Sequence, residues 1–443
     1  MKVERELSAL ETSFIASQPN INIAVIEVSG KIDVETMSKS VTLLMQRYPS
    51  FRKNTSSNNA PFHWIEINKP PTFRVVESDS WKLVAEEELR NHFKLGTQTH
   101  LWRATLVKLT KNPQSHVLLF MYEHGIADGM SKVILVNTLL NYYTLLTKGE
   151  HLVVNSLPAH QSVLEYQRLN SSRVIRQEDV DLLIQEVTEQ NKSWKSSLLS
   201  GLSAQSTPNN ETNGFLCVDG NSYKLKQMIT TARKYQTTVG LILLTSAVWA
   251  MAKLDRLHRK KEAKKKFCVD INMDINERMR VVPALGNEHI QLFISMIPLK
   301  LKVDDRDSFW QSAFKIGKQV HKKISISHNY QMVLEHQEKV GEPYWKADAN
   351  FSSMGRNPFS SQYDNIEVKK MHHIGSKWSP FFGRFVFLSQ SVSSIGYDLV
   401  YEQSDHENAK QIMSMWSSLT EMSGDLNEEY TFAEFLNMKV DPI

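Results

Sequence analysis

The first half of the chain alternates between segments with a strand period and segments with a helical period, which indicates mixed α and β structure. Residues 21–28 carry a strand pattern, and residues 34–48 repeat apolar side chains at helical spacing after Asp33, a predicted N-cap. A second strand, residues 116–122, is apolar without alternation. Such a strand is typically covered on both faces, so the residue that follows it emerges inside the fold.

The rest of the chain repeats this style around one polar segment, residues 200–214, which is rich in Ser, Asn and Thr and has no apolar period. We predict an N-terminal subdomain over residues 1–199, a linker over 200–214 and a C-terminal subdomain over 215–443, in a pseudo-twofold arrangement with any shared site between them. Further helices are predicted at 82–93, 130–146, 177–199, 223–235 and 308–324, and further strands at 101–109, 267–274, 291–303, 384–389 and 393–401.

The longest apolar run, residues 239–252, is shorter than the roughly 20 residues that span a bilayer. It therefore predicts a buried core helix, and we expect no transmembrane segment. The amino terminus alternates in charge and does not resemble a secretory signal, so the cytoplasm is the expected location. Cys217 and Cys268 form no C-x-x-C pair, which argues against a disulfide scaffold or a thiolate zinc site.

Composition changes this picture little. The 443 residues are 41% hydrophobic and 23% charged, enough to bury a core in two or three structural units. The net charge of +4 is too small to indicate a nucleic-acid partner. We expect no metal at His372 and His373, because no further ligand accompanies them at ligand spacing. The basic run 256–266 is interpreted as a solvated connection, with phosphate binding as the alternative.

The segment after the apolar strand carries the candidate chemistry. His124 ends that strand and is followed by Gly125, Asp128, Gly129 and a predicted helix. A partly desolvated imidazole favours its neutral form, so His124 is a candidate general base at pH 7. The residues alone also fit a plainer interpretation, in which His124 is a satisfied boundary histidine, Asp128 is the helix N-cap and Gly129 supplies a turn.

Glu123-His124-x-x-x-Asp128-Gly129 resembles the H-H-x-x-x-D-G motif of the chloramphenicol-acetyltransferase-like acyltransferases, which include nonribosomal-peptide condensation domains and phthiocerol-type acyltransferases. Glu123 replaces the first histidine. The D-F-G-W-G element of plant enzymes of this superfamily and the N-D-V-V-L element of wax ester synthases have no good counterpart in this sequence. Their absence argues against membership of those two branches. Weaker similarities follow in the family's order at residues 7–11, 47–52, 101–104, 192–199 and 274–279.

The resemblance implies two subdomains with a central tunnel. An acyl thioester would enter from one face. The simplest donor is acyl-coenzyme A, which would be a co-substrate, and no bound cofactor is expected. A small or lipid-like alcohol or amine would enter from the other. His124 would be the base, and Asp128 would pair with Arg278, or alternatively with Arg280, to hold its loop. Gly129 would let the backbone come close to the ligand. Asn276 replaces the family's first arginine in this stretch.

Residues 350–356 resemble the S-N-x-G turn of related acyltransferases, with Ser353 in place of asparagine. Its hydroxyl would help hold a tetrahedral oxyanion, and the alternative is a plain Ser-rich turn. Two other functions stay open. One is condensation with a donor bound to an acyl carrier protein, and the other is a catalytically silent relative that binds a partner, which the changes at Glu123 and Asn276 keep in view.

Overall fold

The structure is a computed structural model that describes residues 3–17, 19–158, 161–170, 176–193, 214–259, 266–281, 283–286, 288–340, 346–376 and 383–440. Residues 200–213 of the predicted linker lie outside these ranges. Trp194 and the last residues of the helix predicted at 177–199 lie outside them too. The described helices are α1 (Ala9–Ala16), α2 (Val34–Arg47), α3 (Trp81–Arg90), α4 (Gly129–Thr147), α5 (Val163–Asn170), α6 (Gln177–Ser193), α7 (Ser222–Lys234), α8 (Val239–Arg259), α9 (Phe309–Ile324), α10 (Asn329–Val340), α11 (His406–Met422) and α12 (Phe432–Asn437).

The strands form two large mixed sheets and one small sheet. Their orders are β12-β13-β2-β7-β6-β5, β10-β9-β11-β14-β15-β8 and β1-β4-β3. The predicted mixed α/β class is confirmed. The strands are β1 (Val3–Glu6), β2 (Ile21–Ser29), β3 (Lys53–Thr55), β4 (His63–Glu66), β5 (Phe73–Ser78), β6 (Trp102–Leu109), β7 (Ser115–Glu123), β8 (Gly214–Asp219), β9 (Lys266–Asn276), β10 (Ile294–Asp304), β11 (Ala349–Arg356), β12 (Gln362–Tyr363), β13 (Ile366–Gly375), β14 (Phe385–Ser391) and β15 (Ile395–Tyr401).

Strand β7 lies in the middle of the first sheet, between β2 and β6. All of its residues after Ser115 are buried, as the unbroken apolar pattern predicts for a strand covered on both faces. It runs antiparallel to β2 and pairs Glu123 with Ile21. The chain then passes through a short 3-10 helix, His124–Ile126, into α4. The centre of the sheet therefore delivers His124 to the interior.

Helix α8 forms the core beside the second sheet. It contains the predicted apolar run, and Trp249 within it is fully buried, with Phe309 and Phe432 in edge-to-face contact at 5.3 and 5.2 Å between ring centroids. Among the described residues no single helix is long and apolar enough to cross a membrane. By length and composition together, only helices α7 and α8 as a pair reach that threshold among the described residues, and they bend by 99° at the break between them.

Strand β13 comes from the second half of the chain but belongs to the first sheet. It runs antiparallel to β2, with Met371 opposite Ile26 and Ile374 opposite Ile23. Together with β12 it extends the first sheet, and it also contacts β15 of the second sheet. Strand β13 is absent from the strands predicted from the sequence. The division at residues 200–214 stays a prediction, with the addition that residues 362–375 complete the sheet of the first subdomain.

Candidate active site

His124 is buried at the end of β7, with 5% of its surface exposed. Its backbone N–H donates to the Asn20 carbonyl at 2.9 Å, and its ring stacks on Phe14 of α1 with 4.2 Å between ring centroids. Burial lowers the pKa of His124 to about 4. The imidazole is therefore neutral at pH 7 and able to accept a proton.

The close approach of α1 requires Gly125. A Cβ added there would lie 2.7 Å from the Ile15 side chain. Since Phe14 of the same helix stacks on His124, the small residue after the histidine lets α1 press against the loop. We infer that this packing fixes the plane of the imidazole.

Asp128 is fully buried at the N-cap of α4, and both of its oxygens accept hydrogen bonds. Oδ1 accepts from the N–H and Oγ of Ser131 at 2.9 and 2.8 Å, and Oδ2 accepts from Arg278 Nη1 at 2.7 Å and from the Phe293 N–H at 2.8 Å. Burial alone would raise the pKa of Asp128, but the Arg278 guanidinium and these donors hold it below its usual value. The carboxylate is thus occupied by structural contacts, and the N-cap interpretation and the ion-pair interpretation both hold.

The structure brings Arg278 to Asp128 and leaves Arg280 exposed, so the alternative pairing with Arg280 is wrong. Arg278 is fully buried and also donates to the backbone carbonyls of His289 and Gln291. Asn276, which departs from the family pattern, accepts from Arg278 through its side-chain oxygen. One guanidinium therefore ties the loop of the first half to two segments of the second.

Gly129 contacts Met354 at the end of β11. A Cβ at Gly129 would lie 2.9 Å from the Met354 sulfur. A side chain of the second half therefore packs against this glycine, and its close approach to a ligand stays a prediction. This contact places the end of β11 beside the loop that carries His124.

Ser353 lies in strand β11 and not in a turn, which corrects the expectation for residues 350–356. It is paired in register with Ser389 of the parallel strand β14, and Ser389 Oγ donates to Ser353 Oγ at 3.0 Å. Its side chain faces a cavity of about 640 Å³. The strand ends only after Gly355, whose φ of +67° suits a residue without a Cβ. The oxyanion role for Ser353 stays a prediction.

Two further carboxyls lie near the site, Glu123 buried and Asp274 half-buried. Burial raises the pKa of Glu123 well above its usual value, and it raises the pKa of Asp274 to about 7. Asn350 Nδ2 donates to Asp274 Oδ1 at 3.2 Å. Glu123 therefore favours the neutral form in the position where the related motif has its first histidine, and Asp274 is a titratable group that sequence reasoning did not single out.

The condensation-domain family matches residues 17–332, more than half of the chain. The chain belongs to the condensation-domain family. The resemblance seen in the sequence is thereby confirmed.

Stretches of this condensation domain are similar to parts of two curated peptide synthetases. One stretch of 185 residues is 37% identical to a linear gramicidin synthase protein of Brevibacillus parabrevis, and one of 140 residues is 29% identical to bacitracin synthase 1 of Bacillus licheniformis. They cover 38% and 30% of this chain but only 3% of each relative.

Solved structures share the fold over nearly the whole chain. The first condensation domain of the calcium-dependent antibiotic synthetase has a TM-score of 0.72 at 12% identity, covering 100% of this chain and 99% of that one. Polyketide synthase associated protein 5 from Mycobacterium tuberculosis has 0.71 at 11%, covering 96% and 98%. Trichothecene 15-O-acetyltransferase from Fusarium sporotrichioides has 0.69 at 10%, covering 94% and 95%.

The condensation domain also holds a buried polar cluster that sequence reasoning missed. His372 Nδ1 lies 2.7 Å from Asp398 Oδ1, and Cys217 lies opposite Asp398 in the pairing of β8 with β15. Potential ligand atoms of the three residues lie within 4.8 Å of one another, and thiolate, imidazole and carboxylate are zinc ligands. The strand pairing that brings them together leaves no local signal in the sequence.

In the structure, His372 and Asp398 form an ion pair that joins the two large sheets. Burial alone would lower the pKa of His372, but Asp398 and Asp219 raise it well above its usual value. The buried amine of Lys132 also lies close enough to Asp398 for their charges to interact. The absence of a metal stays a prediction, although the structure brings Cys217 and Asp398 to His372 as further potential ligands that the spacing in the sequence did not show.

Proposed function

We propose that this condensation domain is an acyltransferase that moves an acyl group from a thioester to a hydroxyl or amine acceptor. The observation that carries the proposal is the buried, neutral His124 at the end of the central strand, on a loop held by the Asp128–Arg278 pair. His124 removes the proton of the acceptor, whose oxygen or nitrogen attacks the thioester carbonyl. The imidazolium then protonates the departing thiolate.

This mechanism needs no covalent enzyme intermediate. Asp128 acts through geometry, because its two oxygens are already engaged by four donors. It holds the start of α4 against residues 291–293 and so fixes the loop that carries His124. Displacing that loop would cost free energy, because it would separate the fully buried pair and leave a charge uncompensated.

The experiment is thiol release from a panel of acyl-coenzyme A donors with mixed alcohols and amines, comparing the wild type with His124→Ala. His116→Ala is the matched control, because His116 is a buried histidine near the other end of the same strand. We expect acceptor-dependent release that disappears in His124→Ala and persists in His116→Ala. Full activity of His124→Ala would rule out the mechanism.

A carrier-protein donor is the second candidate, and the family together with the two similar peptide synthetases favours it. The role of His124 is the same, and only the carrier of the thioester differs. No release from coenzyme A donors, with His124-dependent transfer from an acylated carrier protein, would decide for this candidate.

A third outcome is a binding role. A structural neighbour with a TM-score of 0.61, the X-domain from teicoplanin biosynthesis, is described in complex with OxyB. Inertness with both kinds of donor would favour a partner-binding relative over an acyltransferase.

A further inference from the structure

A cavity of about 640 Å³ lies on the second half of the protein, at the ends of β11 and β14. Its volume falls within the range of about 300 to 1,000 Å³ that is common for small-molecule sites. Building on the proposed function, we propose that this cavity holds the hydrocarbon chain of the donor thioester, so that the transferred group is a long linear acyl chain. Its apolar lining comes from Leu225, Ile229, Val239, Leu243, Val392 and Ile395.

The first argument is the position of the cavity relative to the His124 loop. Successive side chains of a strand point to opposite faces. Met354 of β11 contacts Gly129 at the start of α4, while Ser353 and Gly355 line the cavity. One strand end therefore has the loop of the catalytic base on one side and the cavity on the other.

The second argument is the distribution of polar groups in the cavity wall. The apolar side chains come mainly from α7, α8 and β15, whereas most polar side chains come from β11, β14 and the turn after β14. Ser353 lies next to Met354, which contacts Gly129 at the start of α4. Exposed Lys226 and Arg356 also contribute to the wall. An apolar chamber with two accessible cations suits an amphiphile with a hydrocarbon tail and an anionic head. Coenzyme A and phosphopantetheine thioesters of long acyl chains have this chemistry.

Gly240 provides a sharp test of this assignment. It lines the cavity from the first turn of α8, and a Cβ added there would meet only Thr238 Oγ1, at 3.8 Å. A side chain can therefore leave the backbone here without a clash at its Cβ, and we expect the leucine of Gly240→Leu to occupy part of the cavity. Leucine is also a better helix former than glycine. The control is Thr230→Leu, which adds leucine at an exposed position of α7 that does not line the cavity.

The first readout is binding of S-tetradecyl-coenzyme A, a thioether that cannot be turned over, measured by calorimetry. Each methylene kept out of an apolar site costs about a fourfold loss of affinity. A leucine side chain that displaces two or three methylenes should therefore weaken binding about 16- to 60-fold in Gly240→Leu. Binding to Thr230→Leu should match the wild type. Equal binding by Gly240→Leu and the wild type would overturn the assignment, and so would binding of the S-ethyl analogue as tight as that of the S-tetradecyl compound.

The second readout is thiol release with acetyl-, hexanoyl- and tetradecanoyl-coenzyme A. In Gly240→Leu we expect kcat/KM to fall for tetradecanoyl and to stay unchanged for acetyl. His124-dependent release with no dependence on chain length in either protein would overturn the cavity assignment and leave the proposed function standing. Chain-dependent binding without release from these coenzyme A thioesters or from acylated carrier protein would overturn the proposed function and leave the cavity as an acyl-chain site.

Discussion

Replacing Asp128 by asparagine tests how much the buried ion pair holds the active-site loop. Asparagine is as good an N-cap as aspartate, so this substitution retains the cap of α4. It removes the negative charge that faces Arg278, and both residues are fully buried. In the orientation that keeps the cap, the asparagine amide group would face Arg278 Nη1 and the Phe293 N–H, which are both donors.

The magnitude follows from these contacts. Two hydrogen bonds are lost, at 2.7 and 2.8 Å, and the arginine bond and the backbone bond to a charged oxygen are worth about 1.5 to 3 kcal/mol each. Their sum agrees with the loss of about 3 to 5 kcal/mol that is usual when one partner of a buried ion pair is removed. We therefore expect Asp128→Asn to lower the free energy of unfolding by about 3 to 5 kcal/mol.

Urea unfolding followed by tryptophan fluorescence measures this loss. Asp33→Asn is the matched control, because Asp33 is an exposed N-cap whose carboxylate likewise accepts from the backbone N–H three residues later. Its urea midpoint should stay close to that of the wild type. The double variant Asp128→Asn with Arg278→Met should be less destabilised than the sum of its single variants. Equal midpoints for Asp128→Asn and Asp33→Asn would refute the argument.

Three further predictions concern buried titratable groups. The pKa of His124 is about 4 in the folded protein against 6.5 ordinarily, so about 3 kcal/mol of stability should be present above pH 6.5 and lost as the pH falls through 4. Urea titrations at several pH values should show this loss in the wild type, and a His124→Gln variant with the same acid dependence would contradict it. Because the pKa of Glu123 is raised in the folded protein, the unfolded state loses this proton first as the pH rises above 4.5, and the folded state becomes less stable. Glu123→Gln should therefore be more stable than the wild type between pH 5 and 8, measured by thermal melting. Lys132 Nζ has no hydrogen-bond partner among the described residues, and burial lowers its pKa from 10.5 to about 7. The cost to stability of burying the charged amine grows as the pH falls from 10.5 through 7. Lys132→Met should therefore be more stable than the wild type by up to about 4 kcal/mol at pH 7. A lower melting temperature of Lys132→Met would show that the charge of Lys132 stabilises Asp398 instead.

The regular elements were predictable where one local pattern determines them. The central strand β7 and helix α8 have unbroken apolar runs, and burial on all sides follows from that pattern. Helix α2 begins at its predicted cap, because Asp33 accepts from the Thr36 N–H. Strand β13 has no such pattern, since the polar residues Lys369, Lys370, His372 and His373 interrupt it, and its partner β2 is far away in the sequence.

Only the part of the candidate site that depends on neighbouring residues in the sequence was predictable. The position of His124 follows from the strand that precedes it. The pairing of Asp128 with Arg278 came from a resemblance and not from spacing, because 150 positions separate the two residues. The contact between Gly129 and Met354 depends on how the two halves pack together, and the cluster at His372 depends on how the two large sheets pack together. Side-chain packing of that kind is not visible in one sequence.

The pairing of β13 with β2 has a consequence for how the chain can be cut. If residues 362–375 were removed, β2 would become the edge of the first sheet, with nine residues that are mostly apolar. A long apolar edge with unpaired backbone groups is a template for aggregation. A fragment that ends at the predicted linker should therefore precipitate or require the remainder of the chain in trans. During synthesis, too, the first sheet stays incomplete until residues 362–375 have left the ribosome, which makes stalling or truncation before that point especially harmful for this chain.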